Sequence, residues 1–178
     1  MLSDIGNLLL VINLLLSLFI IFSSIENLNN NNSISKKIYT CCLLQSTLII
    51  ICFFTLIAAF IISDFSLITV YENSHSLKPI FYKISGTWGN HEGSLLLWVI
   101  ILTLFSFIFL ITNKNHPKNF RIYTLVTQNV LITGFLFFIL FNSNPFSPIT
   151  PIPSEGLGLN PILQDPALAI HPPLLYIG

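Results

Sequence analysis

The chain has 178 residues, 53% hydrophobic and only 8% charged, with a mean hydropathy of +0.82 and a formal net charge of zero. Soluble domains carry about 25% charged residues, so this composition excludes an ordinary water-soluble globular protein and points to a membrane protein. The seven Lys and Arg form no patch, which removes the electrostatic footing that nucleic-acid binding needs.

Four apolar stretches follow one another along the first part of the chain: Ile5–Phe22, Ile38–Ile62, Ser94–Ile111 and Ile122–Phe141. Each approaches the ~20 residues that cross a hydrocarbon core of ~30 Å as a helix. Isolated spans have no water to satisfy their backbone, so helix is the form expected of them. The fold class is therefore all-α: a polytopic membrane protein whose residues 1–141 form a four-helix transmembrane region. The first stretch has Asp4 in place of a basic leader and no small-residue cleavage site, so it reads as a span rather than a removed signal. Asn7, Asn13, Gln45, Gln128 and Asn129 are polar groups inside spans, expected to hydrogen-bond neighbouring helices. Cys41, Cys42 and Cys52 form no C-x-x-C and no C-x-x-C-H, which excludes a thioredoxin motif and covalent haem attachment to this chain; they read as buried apolar thiols.

The connections fix an orientation. Lys36, Lys37, Lys114, Lys118 and Arg121 lie on one side, against Lys78 and Lys83 on the other. The positive-inside rule then turns both termini outward. The run Asn27–Ser35 is a polar low-complexity spacer on the inner side, where the Asn31-Asn32-Ser33 sequon has no use. Abundant Phe, Ile and Asn with scarce Ala fit an AT-rich coding genome such as an organelle's. The location implied is the mitochondrial inner membrane with both termini toward the intermembrane space, or alternatively a bacterial inner membrane with periplasmic termini.

Residues 142–178 form a different kind of segment. Eight of the ten prolines fall between Pro145 and Pro173, among Leu157, Leu159, Ile162, Leu163, Leu168 and Ile170. Repeated proline disfavours continuous helix, and so many apolar side chains need a surface to cover. The expectation is an ordered Pro-rich outer loop that acts as a lid on the rim or on a partner, ending at the start of a would-be fifth span. Its Gly156–Asn160 run lacks the third glycine and the preceding strand of a nucleotide fingerprint.

The histidines carry the chemical information. His116 falls among inner-side cations and reads as a solvated loop residue, whereas His75, His91 and His171 share the outer side with Tyr71, Tyr82, Trp88 and Tyr176. Two readings stand: a metal or haem site built from imidazole, or an interfacial belt of aromatic and His side chains. In Gly86–Trp98, Ser94 is suited to cap the third span and Glu92 to its positive end. Trp88 and His91 are left to contact something above the membrane. At His171 the following Pro172 favours extended backbone and suits the first position of a new helix. The imidazole is then either a fixed axial ligand or simply a polar residue marking a helix start.

Trp88–Val99 (WGNHEGSLLLWV) and Leu159–Gly178 (LNPILQDPALAIHPPLLYIG) closely resemble the amino-terminal part of the large haem lyase subunit of cytochrome c maturation, the CcmF family of haem-handling proteins. Tyr71–Gly89 resembles that family's loop as well. The resemblance implies a function: helping to hold haem at the outer face for attachment to the C-x-x-C-H thiols of apocytochrome c. It implies haem as cofactor, and as partners a haem chaperone, apocytochrome c and the membrane lipid. His171 corresponds to the first outward axial ligand of the haem iron, while Trp88, His91 and Glu92 would lie near the haem or the chaperone. The family's tryptophan-rich loop, second outward ligand and pair of membrane histidines are missing here. The chain is therefore expected to be the product of a split gene, not catalytic alone, working with other fragments of the same lyase. The alternatives are a non-catalytic structural subunit of a respiratory complex, or half of a small transporter; the absence of ionisable residues deep in the spans disfavours the last.

Overall fold

The computed structural model describes residues 1–28 and 33–178, apart from the side chains of Ile162 and Leu163. Both asparagines of the sequon and most of the asparagine run lie outside those residues. Four long helices carry the fold: α1 (Leu2–Leu28), α2 (Lys36–Ile62), α5 (His91–Thr112) and α6 (Lys118–Asn142). Two short ones, α3 (Ile68–Asn73) and α4 (Ile80–Gly86), lie between α2 and α5; α7 (Pro166–Ile177) comes last, after a 3-10 turn at Pro161–Gln164. Among the described residues there is no strand, only an isolated antiparallel bridge between Leu67 and Pro148.

Each long helix extends past its apolar stretch at one end or both, by as little as two residues in α2. Ser35 Oγ accepts the Lys37 amide at 3.3 Å to start α2. At its other end Ser63 takes a left-handed conformation (φ 56°) and returns its amide to Ala59 and Phe60. Pro117 precedes α6, whose interior contains no proline.

The four long helices close into a ring in which α1 packs on α2 and α6, and α5 packs on α2 and α6. Its interior holds Leu10, Ile49, Leu56, Leu96, Val99, Ile132 and Leu136, all fully buried. Its outside is equally apolar: Leu15, Phe22, Phe54, Phe105, Leu131, Phe137 and Phe141 are each at least 48% exposed. Water would not tolerate a patch of that extent, whereas hydrocarbon is a good solvent for it. The chain is a multi-pass membrane protein.

The polar groups that tie one helix to another are not mainly the amides. Asn13 and Asn129 bond back to Leu9 and Leu125 on their own helices. Interhelical bonds inside the spans include Ser17 to Thr133 at 2.8 Å and Ser46 to the Thr103 carbonyl at 3.1 Å. Short hydroxyls reach across at close helix spacing, and amides in a span find their nearest acceptor one turn back.

At one end of the ring lie the α5–α6 turn and Arg121, which is buried and donates to Tyr39 Oη and the Leu110 carbonyl. The other end is capped. Residues 143–160 run extended across it and hydrogen-bond to residues 66–74: Ile149 N to Ser66 O, Ile68 N to Ser147 O, Leu157 N to Tyr71 O and Gly158 N to Ser74 O. Phe146 plugs the ring and is fully buried. The Pro-rich segment is thus an ordered lid on the chain's own rim as far as Asn160. Beyond that it departs from the helix-free loop expected of it, because Asp165 and Pro166 start a helix.

Candidate functional site

The capped end is organised around the α4–α5 corner. Asn90 Oδ1 accepts the Gly93 amide at 2.7 Å, so Asn90, not Ser94, caps α5 and the helix begins at His91. Asn90 Nδ2 donates to the Gly86 carbonyl at 2.6 Å, joining the end of α4 to the start of α5. The turn is so tight that a Cβ on Gly93 would stand 1.5 Å from the Thr87 carbonyl oxygen. Freed from capping, the Ser94 hydroxyl donates to the Trp88 carbonyl at 2.9 Å. Glu92 occupies the first turn of α5, as its charge favours, with no hydrogen bond or ion pair among the described residues.

Helix α7 rests on this corner. Asp165 accepts the amides of Ala167 and Leu168, and Pro166 takes the first helical position. The helix therefore starts six residues before the position expected from Pro172, and His171 lies within it, not on an extended stretch. Ala169, Pro172, Pro173 and Tyr176 recur at helical spacing and are its less exposed residues; Tyr176 Oη donates to Ser94 Oγ at 3.1 Å. The Trp88 indole N–H donates to the Ala169 carbonyl at 2.7 Å.

Between α5, α6 and α7 opens a cleft of about 490 Å³ bordered by Trp88, Asn90, His91, Trp98, Phe135 and Tyr176. The Trp98 ring lies 5.6 Å from those of Phe135 and Tyr176. His91 Nδ1 is 2.7 Å from Ser143 Oγ, which ties the imidazole to the end of α6. Trp88 and His91 thus share one cleft, while His171 does not line it. Ala169 and His171 are two residues apart, about 200° around a helix, so the imidazole stands on the face opposite the seam. There it is exposed, with Leu168, Leu174 and Leu175 one turn away and themselves 42%, 63% and 63% exposed.

The remaining histidines are placed apart. His75 Nδ1 accepts the Leu77 amide at 3.2 Å and lies 3.8 Å from Glu155, so it belongs to the lid. Hydrogen bonds from the Ser76 hydroxyl and amide hold the Glu155 carboxyl down at about 2. Burial, with Lys83 nearby, brings the Lys78 ammonium down to about 8. His116 packs on Phe120 at the other end of the ring. Among the described residues no three His, Cys, Asp or Glu side chains gather as a metal site. The Asp165-Pro166 helix start was a sequence signal open to reading; the Trp88–Ala169 bond, made to a backbone atom, had none.

Four membrane-length helices under an ordered cap, with a proline-bearing helix presenting one exposed imidazole, define a polytopic membrane protein. Residues 88–178, 91 of the 178 positions, match the family described as cytochrome C assembly protein. The chain belongs to that family, as the motifs at Trp88–Val99 and Leu159–Gly178 implied. It is 53% identical over 126 residues to the cytochrome c-type biogenesis protein CycK of Rhizobium meliloti, covering 71% of this chain and 19% of that protein. It is 46% identical over 127 residues to the cytochrome c-type biogenesis protein CcmF of Escherichia coli, covering 71% and 20%. The chain thus spans about a fifth of the length of these curated relatives. A solved structure titled cytochrome c heme lyase CcmF superposes with a TM-score of 0.80 at 19% identity, over 99% of this chain and 28% of that one, and shares the fold.

Proposed function

We propose that this chain helps to hold haem for attachment to apocytochrome c, supplying His171 as one axial ligand from the face of α7 that points away from the bundle. The observation that carries the reading is the state of that imidazole. It is exposed, makes no hydrogen bond among the described residues, and is flanked by exposed leucines one turn before and after it. A neutral imidazole with a free ring nitrogen ligates iron, and an apolar surround suits a porphyrin face. The residues present therefore fit the group. Haem bound there would supply vinyl groups for thioether formation with the thiols of a C-x-x-C-H segment.

One face of α7 offers one ligand. The opposite side of the porphyrin then needs a second surface, which we assign to further lyase polypeptide bearing the tryptophan-rich loop, with a haem chaperone delivering the haem. Trp88 and His91 contribute from behind the helix, and Glu92 from the exposed first turn of α5. The basic residues at the other end support a reading in which the capped end faces outward, toward the intermembrane space in a mitochondrion or the periplasm in a bacterium. The test is His171→Ala in the assembled membrane complex, reading c-type cytochrome content and the haem absorption spectrum. Loss of both, with partial return of the spectrum when imidazole is added to His171→Gly, is the expected result. Unchanged cytochrome c content and an unchanged spectrum would overturn the assignment.

A further inference from the structure

We infer that Trp88 is a positioning residue for His171, acting through a two-point clasp that holds α7 on either side of the imidazole. Pro173 has no amide hydrogen, so the Ala169 carbonyl lacks the helical donor it would otherwise have. A buried carbonyl without a partner is costly, and Ala169 is 4% exposed. The Trp88 indole fills the vacancy at 2.7 Å. The same tryptophan is engaged a second time: its own carbonyl accepts Ser94 Oγ, and Ser94 Oγ accepts Tyr176 Oη. Ala169 and Tyr176 lie two residues before and five after His171, so both ends of the segment bearing the imidazole are anchored to one residue.

The anchor is itself immobile. Trp88 stacks on Phe53 of α2 at 6.5 Å with an interplanar angle of 21°, and the Asn90 and Gly93 contacts fix the turn that follows it. A helix with two consecutive prolines lacks two of its own hydrogen bonds and bends readily at that point. The clasp removes this freedom where the ligand is carried. It also explains why Trp88 faces the back of α7 while the imidazole faces away from the bundle.

The inference rests on the axial-ligand reading of His171, and the test separates the two. In the assembled complex, Trp88→Phe keeps the ring against Phe53 and removes only the donor. The expected result is a normal amount of complex in the membrane, haem that dissociates about five-fold faster, and a resonance Raman spectrum with a new high-spin fraction. Tyr176→Phe should produce a smaller change of the same kind. If His171→Ala abolishes the low-spin signature while Trp88→Phe leaves spectrum and dissociation untouched, the clasp is wrong and the ligand stands. If His171→Ala changes neither, the ligand reading fails first. Trp88→Phe combined with Pro173→Ala supplies Ala169 with an intrahelical donor but no tie to the bundle. Its haem signature should stay altered, and full recovery would reduce Trp88 to a local partner of the helix and overturn its positioning role.

Discussion

Gly6 and Phe146 meet so closely that a Cβ on Gly6 would stand 2.2 Å from Phe146 Cδ1. The contact joins α1 to the first turn of the lid, and the Phe146 carbonyl is held there by Ser3 Oγ at 2.7 Å. The ring is fully buried in a close-packed interior, so an added methyl forces it or its neighbours to shift. Gly6→Ala is expected to destabilise the protein by about 1–3 kcal/mol, the usual cost of overpacking. Thermal unfolding in detergent reads it. Phe146→Leu in the same chain should relieve the clash, so the double variant should lose less than the two single losses added together.

The cap of α5 gives a second prediction. Asn90 both accepts the Gly93 amide and donates to the Gly86 carbonyl. Asn90→Ala should cost about 1 kcal/mol and raise hydrogen exchange at Glu92 and Gly93. Asn90→Asp keeps the acceptor and should preserve the helix start while loosening α4. Equal exchange in both variants and the parent would show that the cap contributes nothing to the corner.

How far the sequence could be read follows from these residues. The four spans were legible because ~20 apolar residues in a row have few other fates. Their ends were not, since Asn90, Ser35 and Ser63 act through local hydrogen bonds that length and hydropathy do not register. At His171 the backbone was read from the proline after it. The competing signal was Asp165-Pro166, whose cap starts the helix early enough that Pro172 and Pro173 fall inside it. The amides Asn13 and Asn129 were expected to join helices and bond within their own. Side-chain reach and helix spacing decide that, and neither is written in a local pattern.

The bond between Ser17 and Thr133 links α1 to α6 near mid-span, as the Lys118 ammonium on the Asn27 carbonyl does at their ends. Hydrogen bonds in this setting average about 0.6 kcal/mol, because the separated helices find other partners. A double-mutant cycle with Ser17→Ala and Thr133→Ala should return a coupling of that order. Full additivity would mean that the mid-span hydroxyl pair contributes nothing to joining the two helices.

The lid should respond to acid through Glu155. Its carboxylate accepts the Ser76 amide at 2.9 Å as well as the Ser76 hydroxyl, and these bonds hold its folded value at about 2 against an ordinary 4.5. A carboxylate depressed in this way contributes stability that is present above 4.5 and is lost as pH falls from there through 2. Hydrogen exchange at the Ser76 amide, corrected for its intrinsic pH dependence, should therefore show protection that fades across that window. Glu155→Gln retains an acceptor but no charge, so its protection should be weaker at neutral pH and flat through the same range. A parent protein whose Ser76 protection is already constant between pH 6 and about 2 would show that the carboxylate does not tie the lid to the loop before α4.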